Sequence, residues 1–171
     1  YAGLAPFSWD RIVERHGHLA AIRESMLALE DLPSATRLAL VAKLSDTLAQ
    51  FVVARNWLGA DRADRIAGEA KERSTVNIAA RAFGDDMQNL ITHLRATGQL
   101  TAGLILRALL SGNLDLFGAA LAELSGLPYG RVSALLNDRG GNGLQALLRR
   151  AGLPESTYAA FRVALEASHE V

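Results

Sequence analysis

Four glycines at a constant spacing constrain the fold of this chain more than any other feature of its sequence. They are 14 residues apart and stand at Gly98, Gly112, Gly126 and Gly140. A glycine just past a helix end adopts the left-handed conformation that closes the last turn, and Thr101 and Asp115 are suitable N-caps for the helices that follow. The spacing therefore predicts a series of short helices, each ended by a glycine.

The short helices of this series are predicted at 101–110, 115–124, 128–136, 142–150 and 154–167. Longer helices precede them. One starts near Ser8 with an apolar stripe that includes Trp9, Val13 and His16, and Gly17 bends or breaks it. A polar helix at 61–82 is expected to be exposed with a narrow buried edge, and a helix from Asp85 runs to Gly98.

The longest predicted helix starts at Pro33, taken as its first helical residue, and ends near residue 55. Its apolar side chains recur at helical spacing, which predicts one continuous buried face. The predicted face consists of Leu38, Val41, Leu44, Leu48, Phe51 and Val52.

The composition favours an all-α fold. Half of the 171 residues are hydrophobic but only 6% are aromatic, so leucine, alanine, valine and isoleucine must build the core. No segment alternates apolar and polar residues as a strand would. We expect a single all-helical domain over 1–171, with longer helices in 1–97 and the short-helix repeats in 98–171. The short helices are expected to form a compact antiparallel array, HEAT-like or a short α-solenoid.

Charge, cysteine content and hydropathy exclude several classes of protein. Eighteen basic and eighteen acidic residues give a net charge of zero, so no global field attracts nucleic acid or an anionic membrane. The absence of cysteine removes disulfides, thiol catalysis and cysteine-ligated metals. No apolar run approaches the length of a membrane span. A cytoplasmic protein without membrane association is expected, and the missing initiator methionine suggests part of a longer protein.

No set of residues predicts a catalytic centre, a metal site or a cofactor. His16 and His18 are two residues apart and would point in different directions on a helix, so His16 is expected to be a partly buried structural histidine. Asp85 and Asp86 fall at a helix start, where acidic side chains are favoured without catalysis. The chain is therefore expected not to be an enzyme.

The glycine-rich segment 138–143 has two interpretations. Exposed backbone N–H groups beside Arg139 could bind an anion at a helix start. The segment lacks the lysine of a phosphate-binding loop and follows no strand, so a tight connection is the simpler interpretation.

The segment 120–138 resembles a helix-turn-helix of the lactose-repressor type. Ala122, Gly126, Val132 and Leu135 occupy the positions of the small residue, the turn glycine and the buried aliphatics. The alternative interpretation is that this segment is one more unit of the short-helix repeat, which explains the same four residues. The candidate contacts to nucleic acid or to a protein partner are Tyr129, Arg131, Ser133, Arg139, Arg149 and Arg150.

The motifs of 100–161 also resemble a family of bacterial proteins. The sequence LTAGLILRALLSGNLDLFGAALAELSGLPYGRVSALLNDRGGNGLQALLRRAGLPESTYAAFR is similar to the mostly alphaproteobacterial domain of unknown function 2336, and VVARNWLGADRADRI upstream fits as well. The resemblance implies a helical-repeat domain in a cytoplasmic protein and carries over no catalytic residues. Gly118 lies within a predicted helix, where a better helix former is expected.

The leading hypothesis from the sequence is a non-enzymatic domain that binds an unidentified protein partner. Stacked helices, balanced charge and the lack of a convergent reactive set support it. A DNA-binding regulator that uses 120–138 is the alternative. A homodimer is also open, because an uncapped helical array leaves an apolar face exposed.

Overall fold

The all-α prediction is confirmed by a computed structural model, which describes residues 5–138 and 140–169, apart from the Pro6 side chain. Ten α-helices, one 3-10 turn and no strand occur in these residues. The elements are α1 (Pro6–His16), α2 (Ala20–Leu27), α3 (Ser34–Ala54), α4 (Ala60–Ala79), α5 (Gly84–Ala96), α6 (Ala102–Leu110), α7 (Leu114–Ser125), α8 (Tyr129–Leu136), α9 (Asn142–Arg150), the 3-10 turn (Glu155–Thr157) and α10 (Tyr158–His169). A HEAT-like or solenoid arrangement stays a prediction.

The chain divides into two compact units, Tyr1–Ile78 and Ala79–Val171. The first unit holds α1 to α4 almost completely, including the two longest helices, α3 and α4, and the second holds α5 to α10. A single domain over 1–171, with a change of helix length near residue 97, stays a prediction.

In the first unit, α1 and α2 pack against α3 around a small apolar core. Its buried members are Trp9, Val13, Met26, Leu32 and Leu40. Gly17 is the C-cap of α1. A Cβ atom there would lie 2.4 Å from the carbonyl oxygen of Val13, so the turn requires glycine at this position. The buried Arg23 donates from Nη1 to the Gly17 carbonyl oxygen at 2.9 Å, which fixes the turn between α1 and α2.

The predicted buried face of α3 is only partly correct. Leu38 is fully buried, but Leu48 is 55% exposed and Phe51 is 44% exposed. The reason lies in α4, whose buried residues beside this half of α3 are the small Ala63 and Ala67. The narrow buried edge predicted for α4 is confirmed, and it is too narrow to cover the apolar face opposite.

Helix α7 lies at the centre of the second unit. It packs against α5, α6, α8 and α9, and α10 packs against α6. Phe117 on α7 and Phe161 on α10 are both fully buried, with ring centroids 6.2 Å apart. The aliphatic core predicted from composition is thus organised around one aromatic pair.

Three of the four regularly spaced glycines close helices as predicted. Gly98, Gly112 and Gly126 have φ angles of 71°, 74° and 69°. The fourth assignment is wrong, because Gly141 and not Gly140 is left-handed, with φ of 72°. The Gly140 N–H donates to Asp138 Oδ1 at 3.1 Å, and this turn moves the left-handed residue one position further along.

The predicted N-caps are half correct. Thr101 caps α6, since its Oγ1 accepts a hydrogen bond from the Leu104 N–H at 3.3 Å. Asp115 is not a cap, because Asn113 Oδ1 accepts from the Leu116 N–H at 3.1 Å. The reversal at Gly112 is complete at Asn113, so α7 starts at once and Asp115 lies in its first turn. Pro33 is likewise the N-cap of α3 and not its first helical residue.

We expect Gly112→Ala to lower the free energy of unfolding by roughly 1–2 kcal/mol, because an alanine at φ of 74° brings its Cβ close to the following carbonyl. No neighbouring atom lies within 4 Å of that Cβ position, so backbone strain is the only cost. Urea denaturation measures the change.

The matched control is Gly130→Ala on α8, which also has open space but lies in a helix. This substitution should leave stability unchanged or raise it by up to about 1 kcal/mol. Equal losses in both variants would contradict the left-handed role of Gly112.

Candidate functional site

The residues singled out from the sequence lie on α8 and α9 and in the connection between them. The helix-turn-helix prediction is correct at two of its four positions: Gly126 is left-handed at the turn and Val132 is fully buried. Leu135, predicted as the second buried aliphatic, is only half-buried, and so is Ala122. Arg131 is exposed on α8, and Ser133 is half-buried. Contact of this segment with nucleic acid stays a prediction.

Tyr129 packs against α7 at the position of Gly118. A Cβ atom on Gly118 would lie 2.8 Å from Tyr129 Cε2, so the glycine provides the space that the ring occupies. The Tyr129 hydroxyl donates to Asp115 Oδ1 at 3.4 Å. Burial raises the Tyr129 pKa above its ordinary value of 10.0, and the charge of Asp115 and the hydrogen bond add to the effect. Gly118 therefore allows the Tyr129 ring to pack against an otherwise regular helix.

The arginines of the predicted contact set are not equivalent. Arg150 Nε donates to the Ser125 carbonyl oxygen at 2.9 Å, which ties the end of α9 to the end of α7. Arg149 is exposed beside α10, and Arg139 lies outside the described residues. Arg150 thus has a structural role, whereas Arg149 is available at the surface.

The glycine-rich connection 138–143 is organised by its own carboxylate. Asp138 accepts the Gly140 N–H, and its carboxylate also lies close to Gly143. A Cβ on Gly143 would lie 2.6 Å from the Leu135 carbonyl oxygen, so close packing of α9 against α8 requires glycine there. The negatively charged Asp138 carboxylate lies in the region where the first interpretation of this segment places a bound anion. The tight connection is the interpretation that this geometry favours.

A polar cleft of about 700 Å³ lies between that connection, α9 and α10. Its charged lining alternates in sign: Arg149, Glu155, Arg162 and Glu166.

Across residues 5–138 and 140–169, no three histidine or acidic side chains converge as a metal site would require. His16 is exposed at the last turn of α1, so the expectation of a partly buried histidine is wrong.

An apolar groove between α3 and α4, in the first unit, was not found from the sequence. It has a volume of about 200 Å³. Every lining residue except Ser45 is apolar: Leu48, Ala49, Val52, Leu58, Ala63, Ile66, Ala67 and Ala70. Leu48 and Ile66, one from each helix, are half exposed at its edges. A sequence signal was present in the broad apolar face of α3 opposite a mainly alanine edge of α4.

Aromatic side chains extend this apolar surface at the end of α3. The rings of Phe51 and Trp57 meet edge to face, with centroids 5.6 Å apart. Trp57 is 65% exposed. The guanidinium of Arg55 stacks on Phe51, with Cζ 4.1 Å from the ring centroid, and lies 5.9 Å from the Trp57 centroid. We call the groove, Leu48 and Ile66 at its edges, and the Phe51–Trp57 cluster that begins one turn after Leu48 the α3–α4 surface.

We expect Gly118→Ala to displace the Tyr129 ring, because the new Cβ would overlap Cε2. The ring then loses its burial and its contact with Asp115, so the Tyr129 pKa should fall toward 10.0. Absorbance titration, with Tyr129→Phe subtracted, measures this pKa. Gly130→Ala is the control and should leave it raised, and a raised pKa in Gly118→Ala would show the packing account to be wrong.

None of the helices in the described part of the chain is both long and apolar enough to cross a membrane. No curated protein and no solved structure matches the chain. A family described as an uncharacterised protein conserved in bacteria (DUF2336) matches residues 1–171. The match covers the whole chain, including the segment whose motifs resemble that family. The chain therefore belongs to the bacterial DUF2336 family.

Proposed function

We propose that this chain is a non-enzymatic protein-interaction domain of a bacterial cytoplasmic protein, and that its α3–α4 surface binds one amphipathic helix of a partner protein. The observation that carries the proposal is the exposure of large apolar side chains around an apolar groove. Leu48, Trp57 and Ile66 are each at least half exposed. Contiguous apolar patches of this kind on a protein surface mark interaction sites.

The shape and lining of the groove favour a helix as the occupant. A channel between two helices accepts a third helix whose side chains enter it at spacings of three and four residues. Alanines at 49, 63, 67 and 70 line the channel and allow close approach of a partner backbone. Ser45 is the only lining side chain with a hydrogen-bonding group, so apolar contact dominates.

The residue types at the end of the groove support the same proposal. Tryptophan and arginine are enriched among the residues that contribute most to protein–protein affinity, while charged residues other than arginine are depleted there. Trp57 and Arg55 are held in one stacked cluster by Phe51. Their stacking limits the rotamer freedom that binding would otherwise cost.

The test uses an uncharged amphipathic peptide of about 15 residues, with leucines at i, i+3, i+4 and i+7 and glutamine elsewhere. We expect it to bind the wild-type protein and to lose at least about tenfold in affinity with Leu48→Asp, because a carboxylate would be desolvated in the groove. Fluorescence anisotropy of the labelled peptide measures affinity.

Leu110→Asp is the matched control, since Leu110 is a 68% exposed leucine on α6 in the second unit. It should bind the peptide as the wild type does. Equal binding by both variants, or no binding by the wild type, would overturn the proposal. Light scattering of the free protein tests whether the surface instead joins two copies of the chain. If the wild type is a dimer that Leu48→Asp dissociates, the surface binds a second copy, and the proposal of a partner helix is wrong.

A further inference from the structure

The exposed edge of α4 beside the groove carries more positive than negative charge. Arg62, Ile66, Glu69 and Arg73 follow one another at spacings of three and four residues, so they lie along one face of the helix. Ile66 places this face at the groove. The three charged residues are exposed. Two arginines against one glutamate leave this edge positive.

The α3 edge adds a third arginine in a fixed position. Arg55 is the C-cap of α3 and follows Leu48 by seven residues, so it continues the face of the helix that carries Leu48. Its guanidinium is stacked 4.1 Å above the Phe51 ring. Stacking occupies the face of a guanidinium and leaves its in-plane N–H groups free to donate to a carboxylate.

These arginines have no acidic partner within the described parts of the chain. The ion pairs of Lys71 with Asp46 and of Arg95 with Glu123 involve none of Arg55, Arg62 and Arg73. The acids Asp46 and Asp64 line a separate cleft with Gln50 and Val53. We call Arg55, Arg62 and Arg73 the arginine rim. Its positive charge is local, since the whole chain carries no net charge.

We infer that the α3–α4 surface selects an acidic amphipathic helix, whose leucine-type face enters the groove and whose flanking carboxylates pair with Arg55, Arg62 and Arg73. The inference rests on the proposed function and specifies the chemistry of the partner. Apolar contact supplies affinity, and the arginine rim selects among helices that share the same apolar face. Glu69 repels a carboxylate locally, which favours acidic residues toward the two ends of the groove over its middle.

The experiment compares three peptides that share one apolar face and carry glutamate, glutamine or lysine at the flanking positions. Wild-type protein should bind the glutamate peptide at least about tenfold more tightly than the lysine peptide, because several exposed charge pairs, each weak alone, act together. Raising the salt concentration to about 1 M should reduce the ratio, because the Debye length falls to about 3 Å.

Charge reversal on the protein provides the decisive variant. Arg62→Glu combined with Arg73→Glu should reverse the order, so that the lysine peptide binds more tightly than the glutamate peptide. Arg131→Glu combined with Arg162→Glu makes the same change of charge at exposed positions in the second unit and should leave the order as in the wild type.

The outcomes separate this inference from the proposed function. Equal binding of all three peptides, abolished by Leu48→Asp, would overturn acidic selection and leave the docking surface standing. A wild-type preference that both double variants shift equally would also overturn it, because it would then reflect net charge. Absence of binding by every peptide would overturn the proposed function and this inference together.

Discussion

Backbone reversal at left-handed glycines is the constraint on which the fold from Ala79 onward depends. Gly112 and Gly126 each allow a helix to end and the next to begin after three residues. Such short connections bring α6 and α8 directly against α7. A side chain at these φ angles costs about 1–2 kcal/mol, which is a sizeable part of the 5–15 kcal/mol that stabilises a typical domain. The buried pair of Phe117 and Phe161 then fixes α10 relative to α7.

A mismatch between two neighbouring helices governs the first unit in a different way. α3 presents a broad apolar face, whereas α4 offers mainly alanines and is polar on its other sides. The Asp46–Lys71 ion pair joins the two helices without covering Leu48 or Ile66. Each of the two helices therefore forms its own backbone hydrogen bonds, and together they leave an apolar surface exposed. An exposed surface of this kind costs free energy in the isolated protein, and a partner helix would recover that cost.

Local chemistry made much of the architecture predictable from the sequence. The start and the end of α6 follow from residues that act on their own backbone, namely Thr101 and Gly112. The small errors have local causes as well. At the 138–143 connection, the Asp138 carboxylate binds the Gly140 N–H and shifts the left-handed position to Gly141.

Features that depend on a distant neighbour were not predictable in the same way. Gly118 reads as a helix-weakening residue until Tyr129, eleven positions later, is seen to occupy its space. Leu48 and Phe51 continue a helical apolar pattern that correctly predicts α3 but cannot show that the opposing helix is too narrow to bury them. The groove arises from the pairing of two helices, and no single segment encodes it.

The most direct test of the account measures whether the α3–α4 surface is open to solvent in the free protein. The chain has two tryptophans, of which Trp9 is buried and Trp57 is 65% exposed on that surface. Acrylamide quenching of the wild type minus Trp57→Phe isolates the emission of Trp57. The account predicts red-shifted, readily quenched emission from Trp57. Blue-shifted emission that acrylamide does not quench would mean that the surface is already covered, and would contradict an open docking site.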